Sequence, residues 1–401
     1  MTARRPVVLL LMRKESPGYY SVERLFETLL PFLSRNAEVR IARVPCQSSG
    51  LWRCVRNIAF TARQRADVIH VTGDIYYCAL GVRRRRCVLT ILDFCMLDRL
   101  SGARKRAFAA LWYAIPLRWA RHVTALSAST RTELERRYPW AIGRAEVVPC
   151  CVDEAFWVPR EISLAGARKL RLLQVGTARH KNLERVAAAV SGLPVRLRII
   201  GPLSGEQRSF LDSLDLEWTS AERLTGAEVV REYHDSDVLI FASTSEGFGL
   251  PVVEAQASGL PVITSDAAPM NEIAGDGALL VDPRDEAQIR AAVERLLGST
   301  ALAHQLSERG RRNATRFDAM GIADQYAGIY ARACRGGDLR DPRGGSQAGL
   351  QAGRAIDRCS VLAVHAVLVT ETDALLTFSK LNPETGADLQ IYYSALQKVY
   401  E

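Results

Sequence analysis

Glu246 and Glu254 stand eight positions apart in STSEGFGLPVVEAQASG (243–259), with two glycines, a phenylalanine and a proline between them. Arg179, His180 and Lys181 stand together in QVGTARHKNLERVAAAV (174–190). Cations of this kind can hold a diphosphate and stabilise charge on a leaving group. Carboxylates repel phosphate, but they accept hydrogen bonds from vicinal hydroxyls, so two of them can flank an anion site. A molecule with ribose at one end, hexose at the other and diphosphate between them fits that pattern. The plain alternative is a carboxylate near a helix start, an ordinary turn and a solvated basic loop.

The elements around these residues decide whether they can meet. SDVLIFAS (236–243) reads as a buried strand, SEGFG as the loop after it, and LPVVEAQAS as a helix. Pro251 suits the first helical position and Gly259 the position just past the end. Glu254 is then expected on the first helical turn and Glu246 on the loop. The helix start offers free N–H groups and the positive end of a dipole to a phosphate. Gly247 and Gly249 let the backbone approach a ligand closely. KLRLLQVG (169–176) is a second strand, and it runs into the loop carrying Arg179 and Lys181. Open parallel sheets bind ligands beyond their strand carboxyl ends, which is where both loops fall.

The same alternation runs through the 401-residue chain, which is long enough for two domains. Near-continuous apolar runs at 7–11, 38–44, 66–71, 86–92, 122–127 and 145–149 predict parallel strands covered on both faces. Helices are expected at 20–34, 52–65, 104–121 and 128–138. A second series has strands at 169–176, 196–201, 236–243, 260–265 and 277–282, with helices near 182–190, 226–234, 251–258 and 285–297. The prediction is an α/β chain of two doubly wound sheets. Residues 149–169 read as linker. Residues 336–354 are rich in Gly and polar groups and read as a connector, and the tail after them receives no assignment.

At EGFGLPVVEAQASGLPVIT the sequence resembles the retaining glycosyltransferases of family 4, with Glu246 and Glu254 at the two ends of that family's E-x7-E motif. GTARHKNLERV resembles its pyrophosphate-binding loop, and APMNEIAGDGALLVDP (268–283) the segment that follows the motif. PGYYSVERLF (17–26), VTGDIYY (71–77) and VVPCCVD (147–153) resemble a subgroup in the first half. The resemblance implies the GT-B architecture, two Rossmann-like domains facing across a cleft. An acceptor-binding domain would span 1–160 and a nucleotide-sugar domain 168–315. A terminal helix over 316–335 would pack back toward the first domain, leaving 336–401 as linker and tail. By the family pattern, Glu254 holds ribose hydroxyls, Glu246 contacts the sugar ring, and Lys181 with Arg179 neutralises the departing diphosphate. Gly176, Thr177, Gly247, Phe248, Gly249 and Leu250 complete the donor side. Gly18, Tyr19, Asp74 and Asp93 stand on the acceptor side, and either aspartate could align or deprotonate the acceptor hydroxyl.

The implied reaction moves a hexose, mannose by subgroup resemblance, to a glycan or lipid-linked acceptor with retention, as in polysaccharide or lipopolysaccharide synthesis. No metal or other cofactor is expected. Two positions depart from the pattern. Gly176 is followed by Thr177 where many members have Arg, and TILD (90–93) has Leu92 where many have His. Two further readings stay open: a catalytically silent sugar-nucleotide-binding or scaffold protein, and a sugar-nucleotide epimerase.

Charge is unevenly placed. Residues 1–160 hold 27 Lys/Arg against 13 Asp/Glu, an excess of +14, while the rest of the chain carries −5. Such a face suits anionic lipid, polyanionic acceptors or nucleic acid. LDRLSGARKRAFAALWYAIPLRWARH (97–122) mixes Arg and Lys with Phe108, Trp112, Tyr113 and Trp119, a combination that favours a membrane interface, and Arg83–Arg86 add a charge run. The alternative is a core helix with a solvated face. A groove-entering element or stacking platform for nucleic acid is not found. No apolar run reaches the length of a membrane span, and PVVLLLM (6–12) reads as a buried strand rather than a signal peptide. The nine cysteines form no C-x-x-C pair or zinc-type cluster and read as mostly reduced, buried thiols. The expected setting is cytoplasmic, with contact at the inner face of a membrane. His180 alone of six histidines falls in a candidate site, where a loop histidine is expected to face solvent.

Overall fold

The computed structural model describes residues 4–15, 21–157 and 169–335. In the first domain β1 (Val7–Met12), β2 (Glu38–Arg43), β3 (Val68–Val71), β4 (Cys87–Ile91), β5 (His122–Ala125) and β6 (Ala145–Val147) form one sheet, ordered β2-β1-β3-β4-β5-β6. Every pairing is parallel. The helices are α1 (Ser21–Leu33), α2 (Leu51–Ala62), α3 (Cys95–Asp98), α4 (Gly102–Phe108), α5 (Ile115–Trp119) and α6 (Ala128–Arg137). Central strands are buried along their whole length, as expected for apolar runs covered on both faces.

The second sheet contains β7 (Leu170–Val175), β8 (Val195–Ile200), β9 (Glu217–Ala221), β10 (Val238–Phe241), β11 (Val262–Ser265) and β12 (Ala278–Val281), ordered β12-β11-β10-β7-β8-β9. It too is parallel throughout. Its helices are α7 (Leu183–Val190), α8 (Gly205–Asp212), α9 (Gly226–His234), α10 (Leu250–Ala257), α11 (Met270–Ala274), α12 (Glu286–Leu297) and α13 (Thr300–Ala314). In both sheets the order reverses beside the first strand, the topological switch point at which such folds bind ligands.

A last helix, α14 (Ala319–Arg335), crosses back and lies on α1 and on strands β3 and β4 of the first domain. Its Tyr326, Ile329 and Tyr330 are fully buried, each stabilising the join by roughly 1.5–3 kcal/mol. His70 of β3 joins the contact, with Nδ1 2.8 Å from the Tyr330 hydroxyl and Nε2 2.6 Å from Thr90 Oγ1. The outgoing and returning chains run side by side: Val152 N donates to the Phe317 carbonyl at 2.9 Å, and Val152 pairs with Asp318 as an isolated parallel bridge.

Three expectations are corrected. The helix expected over 104–121 is one helical run from Gly102 to Trp119 but is not α-helical throughout: a π-helical stretch Ala109–Ala114 joins α4 to α5, just before Pro116, which has no N–H for the ladder. Its aromatic residues do not form an interfacial face. Trp112 and Tyr113 are buried, and Phe108 stacks on Trp112. The Trp112 and Trp119 indole N–H groups donate to the carbonyls of Asp74 and Val82 at 2.8 and 2.7 Å. Lastly, β9, α3, α8, α11 and α13 are not expected from the sequence. β9 is a half-exposed edge strand, and α13 carries Arg309, Arg311 and Arg312 among its apolar positions, so neither shows a clean apolar period.

No cysteine among the described residues is in a disulfide, and five of the eight are buried. No helix among the described residues is long and apolar enough to cross a membrane. The expected connector and tail lie outside the described residues.

Candidate active site

The carboxyl ends of both sheets meet. Asp93, just after β4, touches the loop after β10: a Cβ at Gly247 would stand 2.9 Å from Asp93 Oδ2. Cys95 Sγ lies 3.9 Å from Ser245 Oγ in the same junction. Alongside, Glu272 of α11 accepts the N–H groups of Ala128 and Ser129 at 2.8 and 2.9 Å. A carboxylate of one domain thus caps the start of α6 in the other, where the helix dipole favours it.

Lys181 and Glu246, 65 positions apart, form a largely buried pair, with Nζ 2.7 Å from Oε1. The ammonium also sits 4.7 Å from the Phe241 ring centroid, a cation–π contact. Its stem runs over Gly176. A Cβ there would meet Lys181 Cγ at 2.9 Å, and Gly176 has φ +91°, so glycine is needed on both counts. Asn182 adopts the left-handed region at φ 62°. Its side-chain amide donates to the carbonyls of Ala242 and Pro283 at 3.0 and 2.6 Å, which fixes the turn against the end of β10.

The rest of this loop is divided. Thr177 spends its hydroxyl on the Pro202 carbonyl, and its own carbonyl accepts from Gln207 Nε2 at 2.8 Å. Arg179 is exposed; its carbonyl accepts from Asn182 N at 3.2 Å, while its side chain makes no hydrogen bond or ion pair among the described residues. His180 is half-buried rather than solvent-facing. Its carbonyl accepts from Thr244 N at 2.8 Å and so ties the two loops together. Burial pushes its imidazole down in pKa, against the pull of the Glu246 charge.

Glu254 is the fifth residue of α10, so it lies one turn inside the helix and not on the first turn as expected. The helix begins at Leu250, with Gly249 before it at φ 102° and Pro251 as its second residue. Phe248 is buried against Phe317, with ring centroids 5.8 Å apart. The Tyr233 hydroxyl of α9 donates to Glu254 Oε2 at 2.6 Å. Burial raises the Glu254 pKa above the usual carboxylate range, while the Tyr233 bond and the charge of Arg24 oppose it. Tyr233 escapes sequence reasoning because only tertiary packing brings α9 against α10.

On the first-domain side, Asp74 lies 3.6 Å from Arg13, whose guanidinium is bidentate to Glu23 at 2.7 and 3.1 Å. Burial pushes the Asp74 carboxyl up in pKa, and Arg13 opposes this. Asp93 is fixed by two bonds: Oδ1 accepts from Cys95 N at 2.9 Å, and its carbonyl accepts from the Tyr113 hydroxyl at 3.0 Å. Leu92 is buried, its N–H donating to the Tyr76 hydroxyl at 2.9 Å. Gly18 and Tyr19 lie outside the described residues. Among the described residues no group of three His, Cys, Asp or Glu stands where it could hold a metal ion.

Two parallel sheets joined at their carboxyl edges, with a cation–carboxylate pair at the join, define the GT-B class of α/β enzymes. The chain belongs to the family 4 type of glycosyltransferase within it. Residues 13–156 match the model for Glycosyltransferase Family 4, and residues 158–313 match that for Glycosyl transferases group 1. An MMP alpha-(1->4)-mannosyltransferase from Mycolicibacterium hassiacum is 30% identical over 255 residues. That match covers 56% of this chain and 61% of the relative. Among solved structures, a sucrose-phosphate synthase from Thermosynechococcus elongatus superposes with TM-score 0.65 at 17% identity, covering 83% of this chain and 100% of its own. The Anabaena protein HepE in complex with UDP-glucose gives 0.66 at 17% identity, covering 82% and 100%. At these identities the likeness is one of fold.

Proposed function

We propose that the protein transfers a hexose from a nucleoside-diphosphate sugar to a glycan or lipid-linked acceptor, with retention of anomeric configuration and without a metal ion. The observation that carries this reading is the Lys181–Glu246 pair at 2.7 Å, set in the loop before α10, the helix whose Glu254 accepts from Tyr233. In the bound state Glu254 would accept hydrogen bonds from ribose hydroxyls. The amides of Phe248, Gly249 and Leu250 would meet the phosphates at the positive end of α10. Lys181 would turn to the diphosphate as the C1–O bond breaks, stabilising the charge that the leaving group gains, with Arg179 as the second cation. Glu246 would contact the hexose. Asp93, already oriented by two hydrogen bonds, would align the acceptor hydroxyl on the face from which the diphosphate departs. Asp74 lies within the same electrostatic reach, and the Asp93 charge adds to the rise in its pKa.

The mannosyltransferase relative favours mannose as the sugar. Charge contact with an anionic membrane is proposed through the exposed arginines at 83–86, in place of the aromatic helix. A sugar-nucleotide-binding protein without turnover is the second reading, favoured by Leu92, a buried apolar residue at the end of β4.

The deciding experiment combines transfer assays with nucleotide binding on Glu254→Ala and Lys181→Ala. Each variant is expected to lose transfer by about 10²-fold or more while remaining folded. Full activity in either would sink the proposal. Donor binding by the wild type with no transfer to any acceptor would select the second reading.

A further inference from the structure

Arg24 lies on α1, in the first domain, yet its guanidinium sits at the start of α9 in the second. A Cβ at Gly226 would stand 3.2 Å from Arg24 Nη2 and 3.7 Å from its Cζ. Gly226 is the first residue of α9, the helix that carries Tyr233 to Glu254. The Arg24 charge is felt there, lowering the pKa of both Glu254 and Tyr233 against the effect of burial.

Its bonding state differs from that of the other buried cations here. Lys181 is paired with Glu246, and Arg13 with Glu23. Arg24 is half-buried and makes no hydrogen bond or ion pair among the described residues. A guanidinium carries five N–H donors in a fixed fork, and a half-buried one without acceptors costs free energy that a ligand can recover. The absence of a side chain at Gly226 leaves the space that the fork occupies.

The place in the sheet indicates which part of a ligand would come here. Glu246 follows β10, Lys181 follows β7, and α9 follows β9 at the far edge, in the order β10-β7-β8-β9. A nucleotide sugar with its hexose at Glu246 and its ribose at Glu254 has its base directed toward the β9–α9 turn.

We propose that Arg24 is a donor-binding residue supplied by the first domain, donating hydrogen bonds to the nucleoside part of the sugar nucleotide. The proposal rests on the donor reading above. It makes the nucleoside end of the donor a ligand of both domains, so donor affinity and domain approach are linked. Base carbonyls and ring nitrogens accept well from such a fork, as arginine–guanine pairs show in other settings.

The test uses the full chain and isothermal titration with GDP, UDP and inorganic pyrophosphate. For the nucleotide that the wild type binds best, Arg24→Ala is expected to weaken binding about tenfold or more, the loss of hydrogen bonds from a charged donor. Pyrophosphate affinity and the melting temperature without ligand should be unchanged. In steady state the donor KM should rise with kcat nearly constant, the pattern of a uniform binding contact. Gly226→Ala, which crowds the guanidinium and leaves its charge, should weaken the same nucleotide. Unchanged nucleotide affinity in Arg24→Ala would overturn the proposal, as would an equal loss for pyrophosphate, which would put Arg24 on the diphosphate. If Glu254→Ala also leaves nucleotide binding intact, the donor reading itself fails. If Glu254→Ala abolishes binding and Arg24→Ala does not alter it, only the Arg24 proposal fails.

Discussion

At the scale of single residues, Gly176 shows how a position without a side chain governs a cation. Lys181 reaches Glu246 only because its methylenes pass where a Cβ at Gly176 would stand, 2.9 Å from Cγ. Gly176→Ala must move that stem and also strain a backbone at φ +91°. The expected outcome is a stability loss of about 1–2 kcal/mol and a fall in kcat of about tenfold or more, since the ammonium is displaced from the reacting bond. Parallel melting and turnover assays check both; wild-type kcat would mean that Lys181 does not act through its present position. The types and approximate places of Glu246, Lys181 and Gly176 are legible in the chain because each follows a strand end within a few residues, and Glu254 falls on the helix after β10, one turn further in than its sequence suggests. Tyr233, Arg24 and Glu272 are not. They act through partners 21, 230 and 144 positions away, distances at which no local period carries information.

At the scale of elements, the same contrast separates strands buried on both faces from elements at the rim. VVLLLM and VLIF are apolar throughout and declare themselves, whereas EWTSA alternates only partly and α13 is heavily charged. Helix α14 is held partly by a polar device that the sequence does not announce, the buried His70 between Tyr330 and Thr90. Burial lowers the His70 pKa from 6.5 to about 3. The unfolded chain therefore takes up the proton first, and stability is lost as pH falls below the unfolded value toward the folded one. Within that window this residue contributes a slope of about 1.4 kcal/mol per pH unit. His70→Asn, which cannot titrate, should start less stable but show a shallower decline in denaturant midpoints between neutral and acid pH. Equal slopes in the two proteins would refute the assignment.

At the scale of the whole molecule, two parallel sheets and their two-domain division follow from strand–helix alternation, and the charge asymmetry follows from counting. What counting does not supply is where the charge lies. The run Arg84–Arg86 is exposed at the amino end of β4, the end away from the junction, while the aromatic residues expected beside the membrane pack inside. Replacing Arg83–Arg86 with alanine should reduce sedimentation with phosphatidylserine or phosphatidylglycerol vesicles at low salt, by about 1 kcal/mol per arginine. Transfer to a small soluble acceptor should be unchanged. Vesicle binding equal to that of the wild type would remove the proposed contact.

The return of α14 to the first sheet has a consequence for modularity. In the order of the chain, the second domain is an insertion within the first, because the chain leaves near Val152, completes a second sheet and comes home through Asp318. A gene fragment ending at Trp157 would encode every strand of the first sheet but leave Phe26 and His70 without the Tyr326 and Tyr330 rings that cover them. Swapping second domains between relatives therefore requires two splice points, one beside Val152 and one beside Asp318, with the host keeping its own final helix.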